Sequence, residues 1–156
     1  MNHKENKQNA FDKATDYLSY CDRTEKEVRA KLIQNDYSEA EILSALNKLK
    51  EYGYVDDARY AKHYQSLKMN KLGVKRIKME LIQKGVDNTV IEQVINSNPI
   101  DEVTTIIHIL ERRFSNACFE DEKEQRRIYA YFVRRGFQFE TIKHAVHIFV
   151  KNNSFQ

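Results

Sequence analysis

The sequence predicts an all-α fold, an elongated, curved array of three tandem three-helix repeats, and three observations carry that prediction. Only four Gly and one Pro occur among 156 residues, too few turn-formers for a sheet protein, while Leu, Ile, Lys, Glu and Ala fill the windows between capping residues. Apolar residues recur at intervals of three and four, the period of a helix with one buried face. The chain also aligns with itself: VRAKLIQNDYSEAEI (28–42) matches IKMELIQKGVDNTVI (77–91) and, more loosely, IYAYFVRRGFQFETI (128–142), at offsets of 49 and 51. In register stand Val28, Ile77 and Ile128; Leu32, Leu81 and Phe132; Tyr37, Val86 and Phe137; and Ile42, Ile91 and Ile142. A unit of three short helices cannot bury its stripe alone, so neighbours must stack or share a core, and an elongated, curved body is expected.

Taken in order, residues 1–9 are polar and read as a disordered start. The first repeat, 10–55, opens with a helix from Ala10 to Cys21 that aligns Ala10, Ala14, Leu18 and Cys21. Thr24 and Glu27 stand in capping-box spacing ahead of Val28, Leu32 and Ile33, and Asn35 with Asp36 stops that helix. Ser38 and Glu41 repeat the device, Tyr37 and Ile42 can staple across the cap, and Ala45, Leu46 and Leu49 continue to Gly53, placed to end the helix in the left-handed conformation.

The second repeat, 56–98, starts at the capping Asp56 and turns Tyr60, Ala61, Tyr64 and Leu67 inward. Gly73 takes the place of Thr24, Gly85 the place of Asp36, and Asp87 matches Ser38 as a cap. The third repeat, 99–150, follows a cap-then-proline start at Asn98 and Pro99, with Val103, Ile106, Ile107, Leu110 and Phe114 as its stripe. A loop from Ser115 to Glu120 leads to Asp121 and Glu124, again in capping-box spacing, and Gly136 closes the helix after them. Residues 151–156 read as a tail.

Cys21 and Cys118 lie far apart with no metal-ligand spacing, the pattern of free, buried thiols in a reducing compartment. The start MNHKENKQNA has no apolar core for a signal peptide, and no run approaches the roughly 18 apolar residues of a membrane span. A soluble, cytoplasmic protein without membrane contact is expected.

Charge is unevenly spread. Lys and Arg number 10 against 12 Asp and Glu in residues 1–61, 7 against 1 in 62–86, and 9 against 10 in 87–156. Lys68, Lys71, Lys75, Arg76, Lys78 and Lys84 surround the bend at Gly73. With Ile77 and Leu81 inward, Lys75, Arg76 and Lys78 are expected to face out, where they can grip phosphates or acidic side chains. A second cluster, Arg112, Arg113, Arg126, Arg127, Arg134 and Arg135, is interleaved with acids that pair with part of it.

Catalytic constellations do not emerge. His144 and His147 share a helix face without a third metal ligand, Asp56 and Asp57 read as a cap and a first-turn dipole partner, and Gly73 and Gly85 lack a phosphate-loop lysine. No catalytic residue, cofactor, metal or small-molecule substrate is expected.

The stretch RTEKEVRAKLIQNDYSEAEILSALNKLKEYGYVDDARYAKHY followed by LGVKRIKMELIQKG resembles the RecX family of bacterial regulators of the RecA recombinase. The resemblance spans about residues 10–150 and is sharpest at Arg23, Thr24 and Glu27 and at Gly53, Tyr54, Asp56, Asp57, Arg59 and Ala61. The chain departs from the family in Asp36, where Gly is common, and in its third repeat. The resemblance implies a non-enzymatic regulator that binds the RecA filament on DNA and mainly inhibits its ATPase, strand-exchange and co-protease activities; whether single- or double-stranded DNA is a further, direct partner is left open by the sequence. Charge and exposure nominate Lys68, Lys71, Lys75, Arg76 and Lys78, then Arg112, Arg126, Arg127, Arg134 and Arg135, as the contact surface. The alternative is a helix-turn-helix-like module acting directly on duplex DNA.

Overall fold

The computed structural model describes residues 7–154. The remainder of the expected disordered start, 1–6, and the last two residues of the expected tail, 155–156, lie outside the described residues. Nine helices and no strand occur among the described residues: α1 (Ala10–Leu18), α2 (Glu25–Gln34), α3 (Glu39–Glu51), α4 (Asp57–Lys68), α5 (Val74–Gln83), α6 (Asn88–Ser97), α7 (Glu102–Arg113), α8 (Glu122–Arg134) and α9 (Phe139–Asn153). None of them is long and apolar enough to cross a membrane. Lys7 to Asn9, placed by sequence in the disordered start, make defined contacts: Lys7 Nζ donates to the Asp36 carbonyl at 2.9 Å, and Asn9 caps α1 by accepting from the Asp12 N–H at 2.8 Å.

Local chemistry starts and stops these helices. Thr24 Oγ1 accepts from the Glu27 N–H at 3.2 Å while Glu27 accepts from the Thr24 N–H at 2.9 Å, and Ser38 and Glu41 close the same box at 3.3 and 2.7 Å. The ends of α2, α5 and α8 share one motif. Tyr37, Val86 and Phe137 donate their N–H groups to the carbonyls of Leu32, Leu81 and Phe132 at 3.3, 3.1 and 3.2 Å. The preceding residues, Asp36, Gly85 and Gly136, have φ of 58°, 86° and 85°, the left-handed turn of a Schellman ending. The three positions aligned in the sequence are therefore three copies of one backbone turn.

Several expectations are corrected. The first helix ends at Leu18, so Cys21 lies in the turn beyond it, and Cys118 lies in the α7–α8 loop; both thiols are free and exposed rather than buried. Ile33 is 55% exposed because it sits about 100° around the helix from buried Leu32. In α4 the inward position after Ala61 is Gln65, four residues on and 3% exposed, while Leu67 is 60% exposed. Asn98 does not open the third repeat: it closes α6, its N–H and Nδ2 both donating to the Val94 carbonyl, and Asp101 caps α7 through the Thr104 N–H at 3.1 Å. Asp121 caps α8 through the Lys123 N–H, and Glu124 pairs with Arg127 instead of closing the box.

The described residues divide into two compact units, one comprising those up to Ala61 with Leu81–Ile91, the other Lys62–Glu80 with those from Glu92 onward. The first has a core of Ala10, Ala14, Val28, Leu32, Ile42, Ala45, Leu46 and Leu49, flanked by Phe11, Tyr17 and Leu18. The second is built on Ile106, Leu110, Ile128, Phe132, Ile142 and Phe149, with Phe132 holding the Phe137 ring edge-on at 5.7 Å.

Candidate functional site

All ten nominated cations fall within the second unit, and the bend at Gly73 is what brings the two groups together. Lys68 closes α4, Lys75 begins the exposed face of α5, and Gly73 between them packs backbone to backbone against the end of α8. The Gly73 N–H donates to the Arg135 carbonyl at 2.8 Å. A Cβ at Gly73 would stand 2.3 Å from the Gly136 carbonyl oxygen, and one at Gly136 would stand 2.4 Å from the Arg76 backbone nitrogen and Cβ. Glycine at both positions lets the bend seat itself on the end of α8, which sets Arg76 against Gly136 and brings Lys71 to the same concavity as Arg135.

The result is a concavity of about 420 Å³ lined by Asn70, Lys71, Ile109, Arg112, Arg113, Tyr131 and Arg135, with no carboxylate among the described residues of its wall. Arg135 is held at two points. Its guanidinium lies 3.5 Å from the Tyr131 ring centroid and Nη1 donates to the Tyr131 carbonyl at 3.2 Å. Arg113 approaches the same ring at 5.0 Å, a cation–π contact that holds an arginine without neutralising it.

The other nominated residues are disposed differently. Lys78 gives its ammonium to both oxygens of Glu92 at 2.7 and 2.8 Å and is partly buried, which corrects the expectation that it faces outward free. Arg76 is exposed but bonds Glu80 Oε1 at 2.8 Å. Glu80 also accepts from the Tyr64 hydroxyl at 2.5 Å. Burial pushes the Glu80 carboxyl up, but the Tyr64 and Arg76 hydrogen bonds and the charges of Arg76 and Lys68 outweigh it and hold the group below the usual glutamate value. Lys68 is half-buried over the Tyr64 ring. Arg126 and Arg127 pair with Glu122 and Glu124 at 3.0 and 2.7 Å, as the interleaved acids suggested. Among the described residues Lys71, Lys75, Arg112 and Arg134 are exposed and form no ion pair.

Arg113 belongs to the second basic cluster of the sequence but not to the contact surface nominated from it, and Tyr131 and Asn70 carry no charge or motif that marks them in the sequence. His144 and His147 line a separate cavity of about 590 Å³ with Glu140 and Lys143. Among the described residues no three His, Cys, Asp or Glu side chains gather as a metal site.

Comparison with known proteins bears on the whole chain. Family models for the first, second and third three-helix domains of RecX match residues 10–49, 56–95 and 100–146. A regulatory protein RecX of Pectobacterium atrosepticum is 35% identical over 132 residues, 84% of this chain and 80% of that protein. One from Vibrio vulnificus is 32% identical over 86% of this chain and 89% of its own length. The crystal structure of RecX from Lactobacillus salivarius superposes with a TM-score of 0.79 at 29% identity, covering 90% of this chain and 94% of that one.

Proposed function

The chain belongs to the RecX family of regulatory proteins, and from that premise we propose that it binds the RecA recombinase filament on DNA and restrains its ATPase, strand-exchange and co-protease activities without catalysing a reaction. It acts in the cytoplasm. The observation that supports this reading best is the gathering of unpaired cations from the Gly73 bend and from α7 and α8 on one face of one unit. A filament on nucleic acid presents phosphates and acidic side chains over a long surface, and an unneutralised basic face is attracted to it from a distance.

The test is ATP hydrolysis and strand exchange by RecA filaments on single-stranded DNA, titrated with the chain at two ionic strengths. Inhibition is expected to need roughly tenfold more protein when salt rises from 50 to 200 mM, since several ionic contacts are screened together. The Lys71→Glu/Lys75→Glu/Arg112→Glu variant is expected to lose inhibition; one that inhibits like the parent removes this face from the mechanism. Binding to bare duplex and bare single strand runs alongside. Tight, sequence-selective duplex binding with no effect on filaments would move the function to the helix-turn-helix alternative.

A further inference from the structure

Four cationic side chains, Lys71, Arg112, Arg113 and Arg135, converge on one concavity whose wall, among the described residues, holds no carboxylate. The wall includes the C-terminal ends of α7 and α8, each contributing about half a negative charge from its last carbonyls, so an excess of about three positive charges remains. Elsewhere in this unit three exposed arginines are answered by acids, Arg76 by Glu80, Arg126 by Glu122 and Arg127 by Glu124, while Arg134 stands without an ion pair but outside the concavity. Here Arg113 and Arg135 are held against Tyr131 by ring contacts that leave their charge intact, and Lys71 and Arg112 form no ion pair. Like charges held together in this way raise the energy of the folded chain unless an anion joins them.

The geometry points to the class of anion. A carboxylate or an internal phosphodiester carries one charge and is satisfied by a single guanidinium fork, which leaves most of this excess unmatched. A terminal phosphate carries about 1.5 to 2 charges at neutral pH, a pyrophosphate more, with oxygens pointing in several directions. Tyr131 does not offer a platform for a base: Arg135 covers its ring at 3.5 Å, and Phe114 and Phe132 meet it edge-on, both at 5.2 Å. Recognition therefore runs through phosphate and not through the base.

We propose that this concavity binds a terminal phosphate or pyrophosphate group, presented either by a nucleoside di- or triphosphate or by the 5′-phosphorylated end of a nucleic-acid strand. The site is made of side chains from three segments rather than a glycine loop, which is why the spacing of Gly73 and Gly85 gave no sign of it. It does not depend on the recombinase reading, because its test contains no recombinase.

Calorimetric titration of the full chain with inorganic pyrophosphate at low salt is expected to show saturable, one-to-one binding. Arg112→Gln and Lys71→Gln each remove one charge-assisted contact and are expected to weaken it roughly tenfold. Both side chains are exposed and without ion pairs, so neither variant threatens the fold. Arg126→Gln removes the same charge outside the concavity and is expected to change binding by less than about twofold, the screened share of a distant charge. Competition by ATP but not by 5′-phosphorylated oligothymidylate assigns the free nucleotide, and the reverse assigns the strand end; either supports the site. The proposal is overturned by absence of saturable binding, by equal losses in all three variants, or by polyglutamate competing as well as pyrophosphate.

Discussion

At Asp36 the backbone adopts φ of 58°, where the equivalent residues of the other two repeats are Gly85 and Gly136. A side chain in that conformation crowds its own carbonyl, a strain of roughly 1–2 kcal/mol that Asp only partly escapes. Asp36→Gly is therefore expected to raise stability by about 0.5–1 kcal/mol once the extra freedom of the unfolded glycine is set against the relief. Gly73→Ala should act in the opposite direction and more strongly. Its Cβ would meet the Gly136 carbonyl, a backbone atom that cannot swing aside, and overpacking of this kind costs about 1–3 kcal/mol. Urea unfolding of both variants checks the pair; a Gly73→Ala protein as stable as the parent would mean that α8 does not hold the bend as closely as described.

Between elements, the same device is used twice. Asp57, the first residue of α4, accepts from the Glu25 N–H at the start of α2 at 3.0 Å. Glu102, the first residue of α7, accepts from the Val74 N–H at the start of α5 at 2.8 Å. In each case the leading helix of one repeat caps the middle helix of the repeat before it, which matters most at α5, where Gly73 has no side chain to do so. Burial pushes both carboxyls above their ordinary values of 3.8 and 4.5, against the lowering effect of the N–H each accepts.

The folded state thus holds these protons more tightly than the unfolded chain, so their ionisation subtracts stability as pH rises through the elevated values, and the loss disappears below the unfolded ones. Asp57→Asn and Glu102→Gln keep an acceptor and remove the charge. They are expected to match or exceed the parent at pH 7, with any advantage shrinking as pH falls toward 4. Asp57→Ala and Glu102→Ala leave an N–H without its partner and are expected to cost about 1 kcal/mol at either pH. Denaturant midpoints at the two pH values decide; an Asn variant as weak as the Ala variant would show that the charge, and not the acceptor, holds α2.

For the molecule as a whole, the question is which cations are available to a partner. Lys75 and Lys78 lie one turn apart on α5, yet Lys78 is bound to Glu92 while Lys75 has no ion pair. Reversing the two should separate stability from function. Lys75→Glu is expected to leave unfolding within about 0.5 kcal/mol of the parent, as for most unpartnered surface positions, while weakening filament inhibition. Lys78→Glu sets two carboxylates together and is expected to lower the unfolding midpoint first. Thermal unfolding and ATPase inhibition measured on both proteins test the split; identical effects in the two assays would dissolve the distinction between a paired and an available lysine.

The sequence by itself determined the succession of helices, the caps of α2 and α3 and the threefold register, because each rests on chemistry within a few residues: Thr24 with Glu27, Ser38 with Glu41, a left-handed residue between Leu32 and Tyr37. It also determined family membership through the same local motifs. It could not say that Gln65 rather than Leu67 turns inward, that Asn98 ends a helix instead of starting one, or that both thiols are exposed, since each depends on what packs against the residue. Above all, only the tertiary structure decided which charges meet. Lys78 and Glu92, or Lys71 with Arg112 and Arg135, are distant in sequence, and no periodicity encodes a partner that the path of the chain alone brings within reach.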